Sequence, residues 1–288
     1  MTFEKEIFYH RERRDRREEK FVLHFLCALC GLCGKNALTV FLVILLPAIA
    51  PAVSTQPSGL SAQSTVNEVL DALDVRGKSI QDFSAAVKLA ETDNSVGSST
   101  SNTGTILLQR KTPDDARIRV VFTKFQDENL ITKINHQYTL DNGVLVDRDY
   151  DKKHETRTQV LKPGEKLDLF KLGVGPFPLP LGQKKEDVLR LFDVAKIPPA
   201  KDDPPGTVHL QLTPKANTSF AKDFLNIDVW VECATSMPRR IQTVDINNTS
   251  TRTTDLTNVK INTGVSDKDF QEPSLPSGWD VVEGPMNQ

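Results

Sequence analysis

The chain has 288 residues, with 36 Lys or Arg against 38 Asp or Glu and a formal net charge of −2. No basic stripe stands out, so the counterion release that drives nucleic-acid binding has no surface to act on, and no nucleic-acid partner is expected. Three of the four Cys (Cys27, Cys30 and Cys33) lie near the N-terminus, which leaves Cys233 alone in the rest of the chain and no internal disulfide to expect there.

Residues 1–64 are expected to lie outside the folded domain. The charged run HRERRDRREEK (10–20) is followed by two apolar runs, FVLHFLCALCGLCG (21–34) and ALTVFLVILLPAIAPAV (37–53). The second run is short for a membrane span and small residues follow it, which reads as a secretory signal peptide. Ala52-Val53-Ser54 and Leu60-Ser61-Ala62 are both passable cleavage sites. Retention as an uncleaved inner-membrane anchor is the other reading, and either one predicts an exported domain. Cys27, Cys30 and Cys33 have C-x2-C-x2-C spacing, but no fourth Cys with a following Pro completes an iron–sulfur run. None of the three sits in a lipobox. Residues 65–288 carry 28 basic and 32 acidic side chains, a net of −4, and are long enough for one sizeable core.

The first element of that domain is TVNEVLDALDV (65–75), where Val66, Val69, Leu70 and Leu73 recur at helical spacing behind Thr65 as a cap. From residue 83 the period changes. Runs rich in β-branched residues (GTILLQRK, ARIRVVFTKF, LITKINHQYTL, VLVDRDY and ETRTQVL) are separated by turn chemistry. Asp141-Asn142-Gly143 is a strong hairpin signal. Residues 162–206 interrupt this meander with LGVGPFPLPLG (172–182), the helical-looking KKEDVLRLFDVA (184–195) and PPAKDDPPG (198–206). Strands resume in TVHLQLTP, FLNIDVWVEC, RRIQTVDI and TRTTDLTNVKIN, and a Pro-rich tail is expected along an edge.

Two of these strands alternate cleanly. Val208, Leu210 and Leu212 share one face, as do Leu225, Ile227, Val229, Val231 and Cys233; the other face carries His209, Gln211, Asn226, Asp228, Trp230 and Glu232. The pattern predicts a mainly β (α+β) fold, in which residues 83–261 form a single strongly curved antiparallel sheet, an open half-barrel, of roughly ten strands. One face is apolar, and the helices and a Pro-rich lid are the segments available to cover it. Prolines 176, 178 and 180 remove backbone donors from a segment whose other residues are apolar or Gly, which suits a lid over an apolar cavity.

Catalytic signatures are missing from the sequence. His136, His154 and His209 belong to no metal or nucleophile motif, and no H-E-x-x-H, G-x-S-x-G or Walker sequence occurs. Asp147, Asp149 and Asp151 lack the glycine and terminal Glu of a calcium loop. The expectation is a binding protein, not an enzyme, with no cofactor and no metal.

The ordered set of elements resembles the periplasmic outer-membrane lipoprotein carriers of the LolA/LolB type over residues 66–283. The resemblance rests on Gly104 leading a strand into Lys111-Thr112-Pro113 and Arg117, on Asn142-Gly143 with Tyr150-Asp151, and on the insertion at 162–206. It continues with Asn258 and Asn262, Asp267 and Phe270, and Gly278-Trp279-Asp280-Val281. It implies a LolA-like domain over 65–288 that chaperones the acyl chains of lipoproteins or lipid through the periplasm. Its cavity and lid would be lined by Phe177, Leu179, Leu181, Leu191, Phe192, Leu210, Ile227, Val229 and Val231, with Arg117 latching the lid. Implied partners are acylated lipoproteins or lipid, an inner-membrane release complex and an outer-membrane acceptor, met by a monomer. The alternative is a lipid- or lipoprotein-sensing regulator of the same fold, and a closed apolar core without a ligand also fits the pattern.

Overall fold

In a computed structural model, the structure describes residues 59–112, 115–160 and 184–284. Helix α1 spans Val66–Ser79. Its first turn is fixed by a reciprocal pair: the Glu68 amide donates to Thr65 Oγ1 at 3.3 Å and the Thr65 amide to Glu68 Oε2 at 2.7 Å. The Thr65 amide and hydroxyl hold the Glu68 carboxyl below the usual range.

Twelve strands follow: β1 (Asp82–Asp93), β2 (Ser98–Thr112), β3 (Asp115–Asp127), β4 (Leu130–Asp141), β5 (Val144–Asp149), β6 (His154–Gln159), β7 (Phe192–Ile197), β8 (Thr207–Pro214), β9 (Phe224–Glu232), β10 (Pro238–Asp245), β11 (Ser250–Ile261) and β12 (Asp280–Gly284). They make one sheet in the order β12-β6-β5-β4-β3-β2-β1-β11-β10-β9-β8-β7. Every neighbouring pair is antiparallel except β12 with β6. The edges β12 and β7 do not pair with each other, so the curved sheet stays open, as the strand pattern predicts.

Bulges interrupt the register between Ser84 and Ala86, between Thr103 and Gly104, and between Phe122 and Lys124. An extra residue bends the strand and increases its twist, which curves a sheet this wide. Gly104 marks the tightest point: a Cβ there would lie 1.8 Å from the Val121 carbonyl oxygen. Only glycine lets β2 and β3 approach that closely.

Three expectations change. The segment read as one helix over 184–195 is a short helix, α2 (Lys185–Leu191), followed directly by strand β7. Phe192 and Val194 face the core, and pairing with β8 outweighs continuation of the helical spacing. Part of the expected lid insertion is therefore an edge strand of the sheet. The tail does form an edge strand, β12, but residues 262–279 first cross the polar face as a strap. The folded region also reaches back to Leu60, which packs on the core, while Lys196 Nζ donates to the Ala62 and Ser64 carbonyls at 2.6 and 3.0 Å. The apolar runs of 21–53 and the proline segment 172–182 lie outside the described residues.

Candidate functional site

Register assigns every strand residue to one of two faces. The inner face, toward α1 and α2, carries Phe83, Ala85, Val87, Ile106, Leu108, Ile118, Val120, Leu210, Ile227, Val229 and Ile241, all buried. Val69, Leu70 and Leu73 of α1 and Val188 of α2 complete this core.

Helix α1 crosses one end of the sheet. Arg110 Nη2 at the end of β2 donates to the Gly77 carbonyl (3.1 Å), and Arg76 Nε donates to Thr235 in the β9–β10 turn (2.7 Å). Asn262, just past β11, donates to the Ser79 carbonyl at 2.9 Å. Toward the other end the inner face is less tightly covered. Leu89, Phe125, Ile134 and Tyr138 are half-buried there, beside fully buried Phe122. His136 stacks on Tyr138 with ring centroids 4.6 Å apart, and its Nε2 meets Asp147 Oδ1 at 2.5 Å. The surface is therefore apolar with a polar flank at β4 and β5, a suitable shape for an amphipathic ligand.

The expected site residues separate on this map. Leu210, Ile227, Val229, Val231 and Phe192 face inward and are buried in the helix–sheet core; Leu191 is half-buried against it. A ligand touching the buried five has to displace a helix. Phe177, Leu179 and Leu181 lie outside the described residues. The more accessible inner residues, Leu89, Phe125, Ile134 and Tyr138, are not among the expected set. The signal for Phe125 lies in the bulge at Thr123, which puts Phe122 and Phe125 on one face although they are three residues apart.

Arg117 projects from the outer face and is nearly buried. Its Nε donates to Gln109 Oε1 at 2.8 Å, its guanidinium pairs with Asp267, and it lies 4.4 Å over the Phe270 ring. The contacts described tie Arg117 to Gln109 and the strap; residues 162–183 of the expected lid lie outside the described residues. Arg119 donates to the Asp269 carbonyl at 2.7 Å and Gln137 to Glu272 at 2.6 Å. Arg148 and Glu155 are almost completely buried and meet at 2.5 Å, while Arg148 also reaches Glu272 (3.1 Å) and the Pro273 carbonyl (3.2 Å).

Alternation predicts a wet surface for the other half of the outer face, which is instead a packed polar layer. His209 Nε2 meets Asp228 Oδ1 at 2.8 Å and stacks on Trp230 at 4.1 Å; the Trp230 indole donates to Asp203 at 2.6 Å, fastening the loop after β7. The three acidic residues before the β5–β6 turn have local duties. Asp147 holds His136, Asp149 Oδ1 accepts from the Asp151 and Lys152 amides, and Asp151 accepts from the Asn135 amide. Among the described residues no group of three or more His, Cys, Asp or Glu is placed to hold a metal. Burial, then Glu232, pushes the Cys233 thiol up, away from the reactive thiolate.

No protein-family model and no curated protein matches the chain. Among solved structures the fold is similar to an uncharacterised conserved protein from Thermus thermophilus, at 11% identity and a TM-score of 0.43, over 77% of this chain and 100% of that one. It is also similar to a LolA superfamily protein from Nitrosomonas europaea (11% identity, TM-score 0.32, 73% of this chain and 98% of that one). A third likeness is to the MucA/MucB complex of Pseudomonas aeruginosa (12% identity, TM-score 0.39, 72% of this chain and 60% of that one). A LolA superfamily protein is thus among the neighbours. Likenesses of this size carry no argument about ligand or activity.

Proposed function

We propose that this protein is a carrier that shields an acyl chain of a lipid or lipoprotein on the inner face of its sheet. The observation that supports the reading most is the gradient along that face. Its apolar surface is sealed by α1 at one end, and half-buried Leu89, Phe125, Ile134 and Tyr138 continue it toward the other. Each methylene withdrawn from water contributes ~0.8 kcal/mol, so a chain of membrane length leaves water readily for such a surface. In this reading the part of the 162–206 insertion that precedes β7 acts as the lid, with Phe177, Leu179 and Leu181 inward and Arg117 as a latch. The apolar run 37–53 directs the domain to the periplasm, where a release complex loads it and an acceptor at the outer membrane unloads it.

A charge on the accessible part of the face tests this. Ile134→Lys should lower affinity for a fluorescent fatty acid by more than roughly tenfold, because an ammonium placed against an acyl chain loses its water without gaining a partner. Mass spectrometry of protein taken from its native envelope should find acyl lipid on the wild type and less on the variant. Absence of copurified lipid together with unchanged probe binding would dismiss the carrier reading.

A further inference from the structure

The end of the sheet opposite α1 carries a second feature. Strands β1, β3, β8 and β10 end there, and β2, β4, β9 and β11 begin there, so four hairpin connections share one rim. Large exposed apolar side chains gather on it: Val96 (74% exposed) in the β1–β2 turn, Leu130 (66%) and Ile131 beside the β3–β4 turn, Leu225 opening β9 and Ile246 in the β10–β11 turn. Elsewhere among the described residues only Val75 on α1 and Val281 and Val282 on the edge strand are comparable.

These tips form one connected structure. The Ile246 amide donates to the Asp223 carbonyl at 3.0 Å, joining the β10–β11 turn to the start of β9. The Asn94 amide donates to the Thr249 carbonyl at 2.9 Å and its side chain reaches Asn248 and Thr251, joining β1–β2 to β10–β11. The Glu128 amide faces the Ser99 carbonyl at 3.5 Å, joining β3–β4 to β2. Two of the turns are also braced within themselves. Asp245 accepts from the Thr249 and Ser250 amides at 2.6 and 2.7 Å, and Asp93 accepts from the Ser95 amide at 2.9 Å. The apolar residues are therefore held outward on a rigid edge and cannot fold back onto the core.

We propose that this rim docks on a lipid bilayer, with Val96, Leu130, Ile131, Leu225 and Ile246 entering the boundary between headgroups and acyl chains. The pattern suits lipid better than a protein partner. The apolar side chains are spread over several turns of the rim, unlike the packed centre of a protein interface. Between them lie amides and hydroxyls (Ser95, Asn129, Asn217 and Asn247), groups able to hydrogen-bond to headgroups and water. Acidic residues (Asp93, Asp127, Glu128 and Asp223) outnumber exposed Lys133 and Lys222, so attraction to anionic lipid does not drive the contact; insertion does, and a neutral bilayer suffices. Among the described residues no helix is long and apolar enough to cross a membrane, so contact through the rim leaves the domain on the surface.

Amide hydrogen exchange by mass spectrometry tests this on the full chain, with and without phosphatidylcholine vesicles. Peptides covering 92–99, 126–133 and 244–251 should exchange more slowly when vesicles are added, while the α1 peptide around Val75, equally apolar but at the other end, should not change. The variant Val96→Ser/Leu130→Ser/Ile131→Ser/Ile246→Ser should lose that slowing and bind vesicles more than roughly tenfold more weakly, since four aliphatic groups leave the acyl boundary. Because peptides report location, attachment through the apolar runs before residue 59 does not imitate the result. Rim peptides that exchange equally with and without vesicles overturn the proposal, and so does slowing that the variant retains. A rim meant for protein gives the first of these outcomes. The carrier reading stands or falls separately, on fatty-acid binding.

Discussion

The two faces of the sheet are built from alternate residues of the same strands, yet they are held by different physics. Ile118 points inward to a core that is apolar and non-directional. Its neighbours Arg117 and Arg119 point outward to a strap fixed by aimed donors and acceptors. The inner face is closed at one end by helices packed on it, the β3–β6 half of the outer face by residues 262–279 returning from far along the chain. The sheet therefore does not need its outer face for a core.

The contrast is most vulnerable at Arg148. It is 1% exposed with Glu155 at 0%, and Glu272 of the strap sits beside them. Arg148→Met leaves the buried Glu155 with only half-exposed Arg157 (2.6 Å) as its partner, which should cost about 3 kcal/mol in urea unfolding, the lower end of the range for breaking a buried pair. The double variant Arg148→Met/Glu155→Leu should recover much of that loss, because the penalty comes from the orphaned charge more than from the missing attraction. A single variant as mild as an exposed ion pair, under about 1 kcal/mol, would mean that water reaches the outer layer freely.

Leu73→Ala on α1 probes the inner face. The residue is buried among Leu70, Val69 and the sheet, so roughly 2–5 kcal/mol should be lost with the cavity left behind. Combined with Arg148→Met, the losses should add to within about 0.5 kcal/mol, since the sheet separates the two sites and they share no partner. Strong coupling would show that the strap and the helix layer answer to one another through the strands.

What is legible in the sequence follows the same division. The inner face shows in alternation such as Val208, Leu210 and Leu212, and α1 in its Thr65–Glu68 box ahead of apolar residues at helical spacing. The β4–β5 hairpin shows in Asn142-Gly143, both of which take positive φ. Local signals settle these elements because the causes are local. The outer layer is not legible in that way. Arg117 meets Asp267 across 150 positions, and nothing near either residue announces the pair. Trp230 reads as wet by alternation until the loop bearing Asp203 covers it. Strand β7 is hidden because Val188, Leu191 and Phe192 continue a helical spacing that sheet pairing interrupts. Phe125 on the accessible part of the inner face is hidden by the bulge at Thr123, which shifts the period by one residue.

The mildest change belongs to the rim, where neither face's physics dominates. Burial alone pushes the Asp245 carboxyl up, but the Ser250 amide, the Thr249 hydroxyl and the Thr249 amide outweigh it and hold the group below its ordinary value of 3.8. A carboxyl depressed in the folded state adds stability that is fully present above the unfolded value and lost as pH falls through the folded one. Asp245→Asn should therefore be less stable than the wild type at neutral pH, and the gap should narrow once the pH drops below the ordinary aspartate range. Urea midpoints on either side of that range measure this. A gap of equal size on both sides would assign the turn's stability to geometry that Asn also supplies. Since Asp245 braces the turn that carries Ile246, the variant should also loosen vesicle contact there while leaving fatty-acid binding on the inner face unchanged. Loss of both together would tie the rim to the inner face and remove the separation between them.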